Sequence, residues 1–215
     1  MDVLARLDEA RATTNVLEHP FYQRWSAGEL GVGELALYAG EYRRAVVALA
    51  EASSAAAELA GPEHREGLRR HAAEETAHVS LWDDFAAGCG TSADAAAQLA
   101  LAETETCVRS WTAGADLLEH LAVLYAIEAS QPEISKTKLD GLREHYGYIE
   151  EGPATEYFSV HELRDVAHAA SARELIAELM AHVEDQDEQA ERMVARAQEA
   201  LRGNWTLLDG VEAKA

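Results

Sequence analysis

The chain has 215 residues and 23.4 kDa, 48% hydrophobic and 27% charged, which is enough for one buried core and too little for two full domains. Eighteen Lys plus Arg against 39 Asp plus Glu leave a formal charge of −21, and a field of that sign repels nucleic-acid phosphates and anionic lipid headgroups, so neither is an expected partner. The longest unbroken apolar run, Leu121 to Ile127, is far short of the roughly 20 residues that span a bilayer.

Ala, Glu, Leu and Arg dominate and strand-type alternation is absent, which predicts an all-α chain forming one domain over 1–215. The opening Met-Asp-Val-Leu-Ala-Arg shows no export-signal pattern, so a cytoplasmic location is expected. Leu4, Leu7 and Arg11 start a helix running towards Leu17, which His19-Pro20 interrupts because a residue before proline avoids the helical region. A short aromatic link with Phe21, Tyr22 and Trp25 follows. Glu34 to Leu59 carries a core-type face through Leu35, Tyr38, Tyr42, Val46, Leu49 and Ala50, and Gly61-Pro62 ends it. A third helix is predicted over 63–87, closed by Gly88 and Gly90, and Ser92 can cap a fourth over 92–113. Further helices are predicted over 116–130, 133–146, 155–169 and 171–202, about seven in the bundle as a whole. Pro132 is expected to bend or break the segment after Glu128, Gly147 and Gly152-Pro153 mark a loop, and the tail beyond Gly203 is expected to dock through Trp205, Leu207 and Leu208. The acidic run after His182, with Glu184, Asp185, Asp187 and Glu188, reads as a solvated helix face. Cys89 and Cys107 lack C-x-x-C or zinc-type spacing and read as inert buried thiols.

Three segments carry chemistry. His161, Asp165 and His168 form an H-x-x-x-D-x-x-H run, and steps of four and seven residues return to within about 40° of the starting direction on a helix. Two neutral imidazoles and a carboxylate on one face can hold a divalent transition metal and leave positions open for substrate or dioxygen. Glu75-Thr76-Ala77-His78 places an acid and an imidazole at i and i+3, a pattern too common to carry weight alone. Glu128 shares a stripe with Leu121, Leu124 and Tyr125, so it faces the core, where a carboxylate needs a cation, strong hydrogen bonds or a proton. A nearby Arg or Tyr is the competing way to satisfy it. Together Glu75, His78, Glu128, His161, Asp165 and His168 supply six nitrogen and oxygen ligands without thiolate, a set that suits two iron ions, or manganese and iron, better than structural zinc. His71, two turns before His78, reads as a surface residue or one standing behind the ligands. Lys138, beside Lys136 and Arg143, reads as a surface lysine, and only burial would lower its pKa enough for it to act as a neutral amine. No G-x-S-x-G, P-loop or G-x-G-x-x-G is present.

The ligand order, an early Glu and His, a middle Glu and then H-x-x-x-D-x-x-H, resembles that of the heme-oxygenase-like diiron oxidases and oxygenases. Within that group the chain is most similar to the CADD-like para-aminobenzoate synthases. Glu18-His-Pro-Phe-Tyr-Gln-Arg-Trp-Ser-Ala-Gly-Glu-Leu30, Tyr38, Leu124-Tyr-Ala-Ile-Glu-Ala-Ser-Gln-Pro132 and Tyr157-Phe-Ser-Val-His161 carry the similarity, which covers roughly residues 15 to 170. The resemblance implies a heme oxygenase-like (TenA/PqqC-like) fold, a dinuclear iron or manganese/iron centre and dioxygen as co-substrate. It also implies an external reductant, Tyr22 as the aromatic precursor, Tyr38 as a further catalytic residue, and Lys138 as amino donor. Two departures stand out: Glu74-Glu75-Thr-Ala-His78 is uninterrupted, so either glutamate could be the ligand, and Ile127 stands where the family often has an aromatic residue.

Alternatives remain at this point. The same metal site could act on an external amino acid or fatty acid, the fold could be a metal-free TenA/PqqC-like relative, or the chain could be an acidic helical interaction module. Bundles of this size commonly pair as homodimers, and that is the expected assembly.

Overall fold

Prolines and capping side chains, more than propensity, set where the helices begin. The computed structural model describes residues 2–91, 101–148 and 152–214, and among them nine α-helices and no strand. Helix α1 (Val3–Thr13) leads through a 3-10 turn (Val16–Glu18) into α2 (Pro20–Ala27). His19 caps α2, its Nδ1 accepting from the Phe21 N–H at 3.0 Å, and Pro20 occupies the first turn, where its missing N–H costs nothing. The expected aromatic link is therefore a helix, with Phe21, Tyr22 and Trp25 on its buried face. The expected break after Glu128 is present at Ala129 and Ser130, between α6 (Leu117–Glu128) and α7 (Gln131–His145), and Pro132 sits in the first turn of α7 as Pro20 does in α2.

Helices α3 (Val32–Leu59) and α4 (Pro62–Gly88) fall where expected. Helix α5 (Ala102–Thr112) covers the later part of the predicted 92–113 helix, and residues 92–100 lie outside the described residues. The predicted division near residue 170 is absent. Helix α8 (Pro153–Met180) runs straight through it, and α9 (Gln186–Glu212) starts where the Asp185 side chain accepts from the Glu188 N–H at 3.0 Å. Of the acidic run after His182, Glu184 and Asp185 form the turn and the cap while Asp187 and Glu188 lie exposed in the first turn of α9; the tail does dock through Leu207 and Leu208, as the end of that helix and not as a separate segment. Against the seven or so helices expected, the nine observed correspond to the eight segments read from the sequence, with the division near 170 moved to 181–185, plus α2.

Helix α6 is buried on all sides from Leu118 to Glu128 and packs against α3, α8 and α9, as a helix that is apolar all round must. Helices α4 and α8 pack on each other beside it. Gly203 lets α9 approach α5: a Cβ there would lie 3.2 Å from the Cys107 Cα and against the Ser110 side chain. Gly203→Val is expected to lower stability by about 1–3 kcal/mol through overpacking, measured by urea denaturation. Both cysteines are buried and unbridged, and burial pushes the Cys89 thiol up to about 11, consistent with inert roles. No helix of the described residues is long and apolar enough to cross a membrane.

Candidate metal centre

Helix α4 presents His71, Glu75 and His78 on one face, α8 presents His161, Asp165 and His168, and α6 ends on Glu128. All six ligands read from the sequence come together, and His71 joins them. Glu75 Oε1 lies 3.3 Å from His78 Nδ1, 3.7 Å from His71 Nε2 and 3.9 Å from His168 Nδ1. Across the two helices the His78 and His161 rings are 4.4 Å apart, and those of His71 and His168 4.6 Å. Glu128 Oε1 stands 3.0 Å from His71 Nε2, and Asp165 Oδ1 3.4 Å from His168 Nδ1. Two groups of three, Glu75 with His78 and His161, and His71 with Glu75 and His168, each offer donor atoms within 4.8 Å of one another.

His71, read from the sequence as a surface residue or one standing behind the ligands, is partly buried against Glu128 and His168. Its signal was available: H-x-x-x-E-x-x-H over 71–78 has the spacing of H-x-x-x-D-x-x-H over 161–168. On helices packed face to face, the two runs meet His71 to His168 and His78 to His161. Burial sets Glu75 apart from Glu74. Glu75 is 2% exposed inside the cluster, whereas Glu74 is 41% exposed and accepts from or faces His168 Nε2 at 3.2 Å from behind.

The donor set fits metal ions. Glu75 Oε1, both Glu128 and both Asp165 carboxylate oxygens, and His71 Nε2, His78 Nδ1, His161 Nε2 and His168 Nδ1 are buried without a hydrogen-bond partner. Each such group costs about 1–3 kcal/mol or more if left so, and three carboxylates in one dry space repel one another. No Arg or Tyr pairs with Glu128 among the described residues: its near neighbour is His71 Nε2 at 3.0 Å, and the nearby phenol and guanidinium groups are engaged elsewhere. Tyr125 donates to Asp8 at 2.5 Å, Arg173 to the same carboxylate at 2.7 Å, and Arg11 to the Ala129 carbonyl at 2.6 Å. Outer contacts orient the imidazoles as metal ligands require: His161 Nδ1 donates to the Tyr157 carbonyl at 2.7 Å, leaving Nε2 to face the cluster, and Glu74 holds His168 by Nε2.

The ionisation pattern follows from this crowding. Burial drives the His161 imidazole down to about 4. Burial, then the His168 contact opposing it and the Glu128 and Glu75 charges adding to it, leaves Asp165 raised to about 7. Burial pulls His71 down, but the adjacent Glu128 carboxylate outweighs it and His71 ends raised to about 9.

Next to the cluster lies a second buried group. Lys138 is 1% exposed, not on the surface, and its Nζ sits 4.8–5.7 Å from the ring centres of Tyr42, Tyr22, Tyr38, Phe158 and Trp82. Burial lowers its pKa to about 7. The Tyr22 and Tyr38 hydroxyls are 3.1 Å apart in this cage. Ring contacts connect cage to cluster: Trp82 meets Tyr157 at 4.8 Å, and Tyr157 stacks on His161 at 4.0 Å. On its outer side the cluster meets a cavity of about 550 Å³, lined by His71, Glu74 and His168 together with Leu68, Leu121 and Leu175.

Comparison with known proteins gives the family and the fold. A family model described as "iron-containing redox enzyme" matches residues 52–205. The chain is 31% identical to a "4-aminobenzoate synthase" of Chlamydia muridarum, over 92% of this chain and 87% of that protein. It is 30% identical to one of Chlamydia trachomatis serovar D, over 97% and 91%. One of Nitrosomonas europaea is 29% identical, over 96% and 89%. Among solved structures, a TenA homologue from Pseudomonas syringae pv. tomato superposes with TM-score 0.82 at 18% identity, covering 98% of this chain and 91% of that one. A Shewanella denitrificans domain with a heme oxygenase-like fold gives 0.81 at 18%, covering 100% and 93%. The fold is thus the all-α heme oxygenase-like, TenA-type bundle, and the chain belongs to the family of iron-containing redox enzymes.

Proposed function

We propose that this chain is a dinuclear iron, or mixed manganese and iron, oxygenase that makes para-aminobenzoate from its own Tyr22 with the Lys138 nitrogen. The observation that carries this reading is the buried cage, in which the Lys138 amine lies 5.2 and 5.3 Å from the ring centres of Tyr22 and Tyr38, whose hydroxyls touch, beside a cluster of metal-type donors without hydrogen bonds. The names of the relatives from Chlamydia and Nitrosomonas support the same product. Glu75, His78, Glu128, His161, Asp165 and His168 would hold the ions, which when bound would supply dioxygen activation.

The residues do the rest. Turning the tyrosine side chain into this product replaces the ring C–O bond with C–N, breaks Cα–Cβ and oxidises Cβ from methylene to carboxyl, consuming dioxygen and electrons from an external reductant. The nitrogen leaves Lys138 as its Cε is oxidised to the aldehyde, the phenol oxygen departs as water, and Cα keeps a hydrogen in place of the side chain, with dioxygen the oxidant for both carbons. A lysine whose pKa lies near 7 is partly neutral at physiological pH and carries the lone pair that C–N formation needs. The Tyr38 hydroxyl positions the Tyr22 phenol, and the surrounding rings keep water from the reacting carbon. We place the protein in the cytoplasm, as a homodimer.

The test is to load metal-free protein with iron(II) and manganese(II), add dioxygen and reductant, and analyse both product and polypeptide by mass spectrometry. The expected result is para-aminobenzoate in no more than one equivalent per chain, with Tyr22 altered. Tyr22→Phe is expected to release none. Undiminished turnover by Tyr22→Phe would instead support the second reading, an external small molecule bound in the cavity beside His71 and His168.

A further inference from the structure

The two ends of the cluster differ in access to water. Glu75, His78 and His161 are enclosed, with side chains 2%, 4% and 1% exposed. His71 and His168 are each 16% exposed, and both line the cavity. Glu128, 1% exposed with both oxygens unpaired, stands 3.0 Å from His71 Nε2, so the imidazole and the carboxylate point into one space. The two stand at ion-pair distance without an aligned hydrogen bond, an arrangement that a shared metal ion would equally satisfy. Neither the ligand order read from the sequence nor the family description assigns His71 a part.

We infer that His71 is a ligand of an outer, cavity-facing ion site formed with Glu75, Glu128, Asp165 and His168, and that this outer ion exchanges through the cavity while the inner ion, on Glu75, His78 and His161, stays enclosed. This rests on the dinuclear reading above and deepens it. A transition-metal ion must shed water as it enters, and the cavity meets the cluster at His71 and His168, with Glu74 at the rim behind His168. An ion taking that route meets the outer donors first, and an ion leaving from the inner group has to pass them. Imidazole at position 71 also balances the set: four imidazoles share two ions with three carboxylates, a mixture suited to iron and manganese.

The experiment uses metal-free full-length protein and manganese(II) alone, with elemental analysis after desalting, electron paramagnetic resonance of the bound ion, and timed release to a chelator. The parent is expected to retain two ions per chain and to release one at least about tenfold faster than the other. His71→Phe, which keeps the ring volume without donor atoms, is expected to retain one ion with the slow release rate, and that retained ion shows that the fold survives. His71→Glu, which restores a donor, is expected to recover the second ion. Two ions in His71→Phe with the parent's release rates, or a single common release rate in the parent, would overturn the inference and leave the dinuclear reading standing. A parent that holds no ion would overturn both.

Discussion

Lys138→Met is expected to abolish para-aminobenzoate formation while stabilising the fold by on the order of 2–4 kcal/mol near pH 7. The lysine is buried among five aromatic rings, and desolvation alone lowers its pKa from 10.5 to about 7. The unfolded chain therefore binds more protons than the folded one between about pH 7 and 10.5, and stability rises with pH across that window. Methionine carries no charge to desolvate and fits the apolar cage, so the gain should be largest at or below pH 7 and fade towards pH 10.5. Urea denaturation of parent and variant at several pH values checks it. A variant less stable than the parent at pH 7 would mean that the ammonium is well solvated or paired, which a nucleophilic lysine would not be. In the parent, product formation should likewise increase as pH rises through about 7, because the neutral amine is the reactive form.

Glu75→Ala is expected to lose both ions, with affinity down by more than about 100-fold, whereas Glu74→Ala keeps them. Glu75 alone belongs to both groups of converging donors, while Glu74 touches the cluster only through the far nitrogen of His168. Ion binding to the folded protein also raises its melting temperature by mass action, about 2.7 kcal/mol at a hundredfold excess over the dissociation constant. The parent and Glu74→Ala should therefore melt higher with manganese(II) and fall back with chelator, and Glu75→Ala should melt at one temperature in both conditions. A metal-dependent shift in Glu75→Ala equal to the parent's would contradict its central place.

Periodicity located α3 and α4 well, because long amphipathic helices repeat the same signal over many turns. It failed where a single residue had to be interpreted. Pro20 read as an interruption yet starts a helix, since a proline in the first turn gives up only a donor that has no partner there, and Pro132 stands likewise just after the break it was expected to cause. The break near residue 170 was misplaced because Ala-rich α8 has no strong terminator before the Asp185 cap. Lys138 was read as an ordinary surface residue, and His71 was left between the surface and a place behind the ligands, because a charged or polar side chain on a mixed face gives no local sign of what packs over it.

The sequence by itself determined the helical class and the family, and it put the six metal-type residues on three segments, because spacing along a helix dictates which side chains share a face. Only the tertiary structure decided that Glu75 and not Glu74 faces inward, that His71 completes a second matching run, and that Lys138 lies among the tyrosines. Those outcomes depend on how α2, α4, α6, α7 and α8 pack together, and burial and charge environment are properties of that packing and not of any one segment.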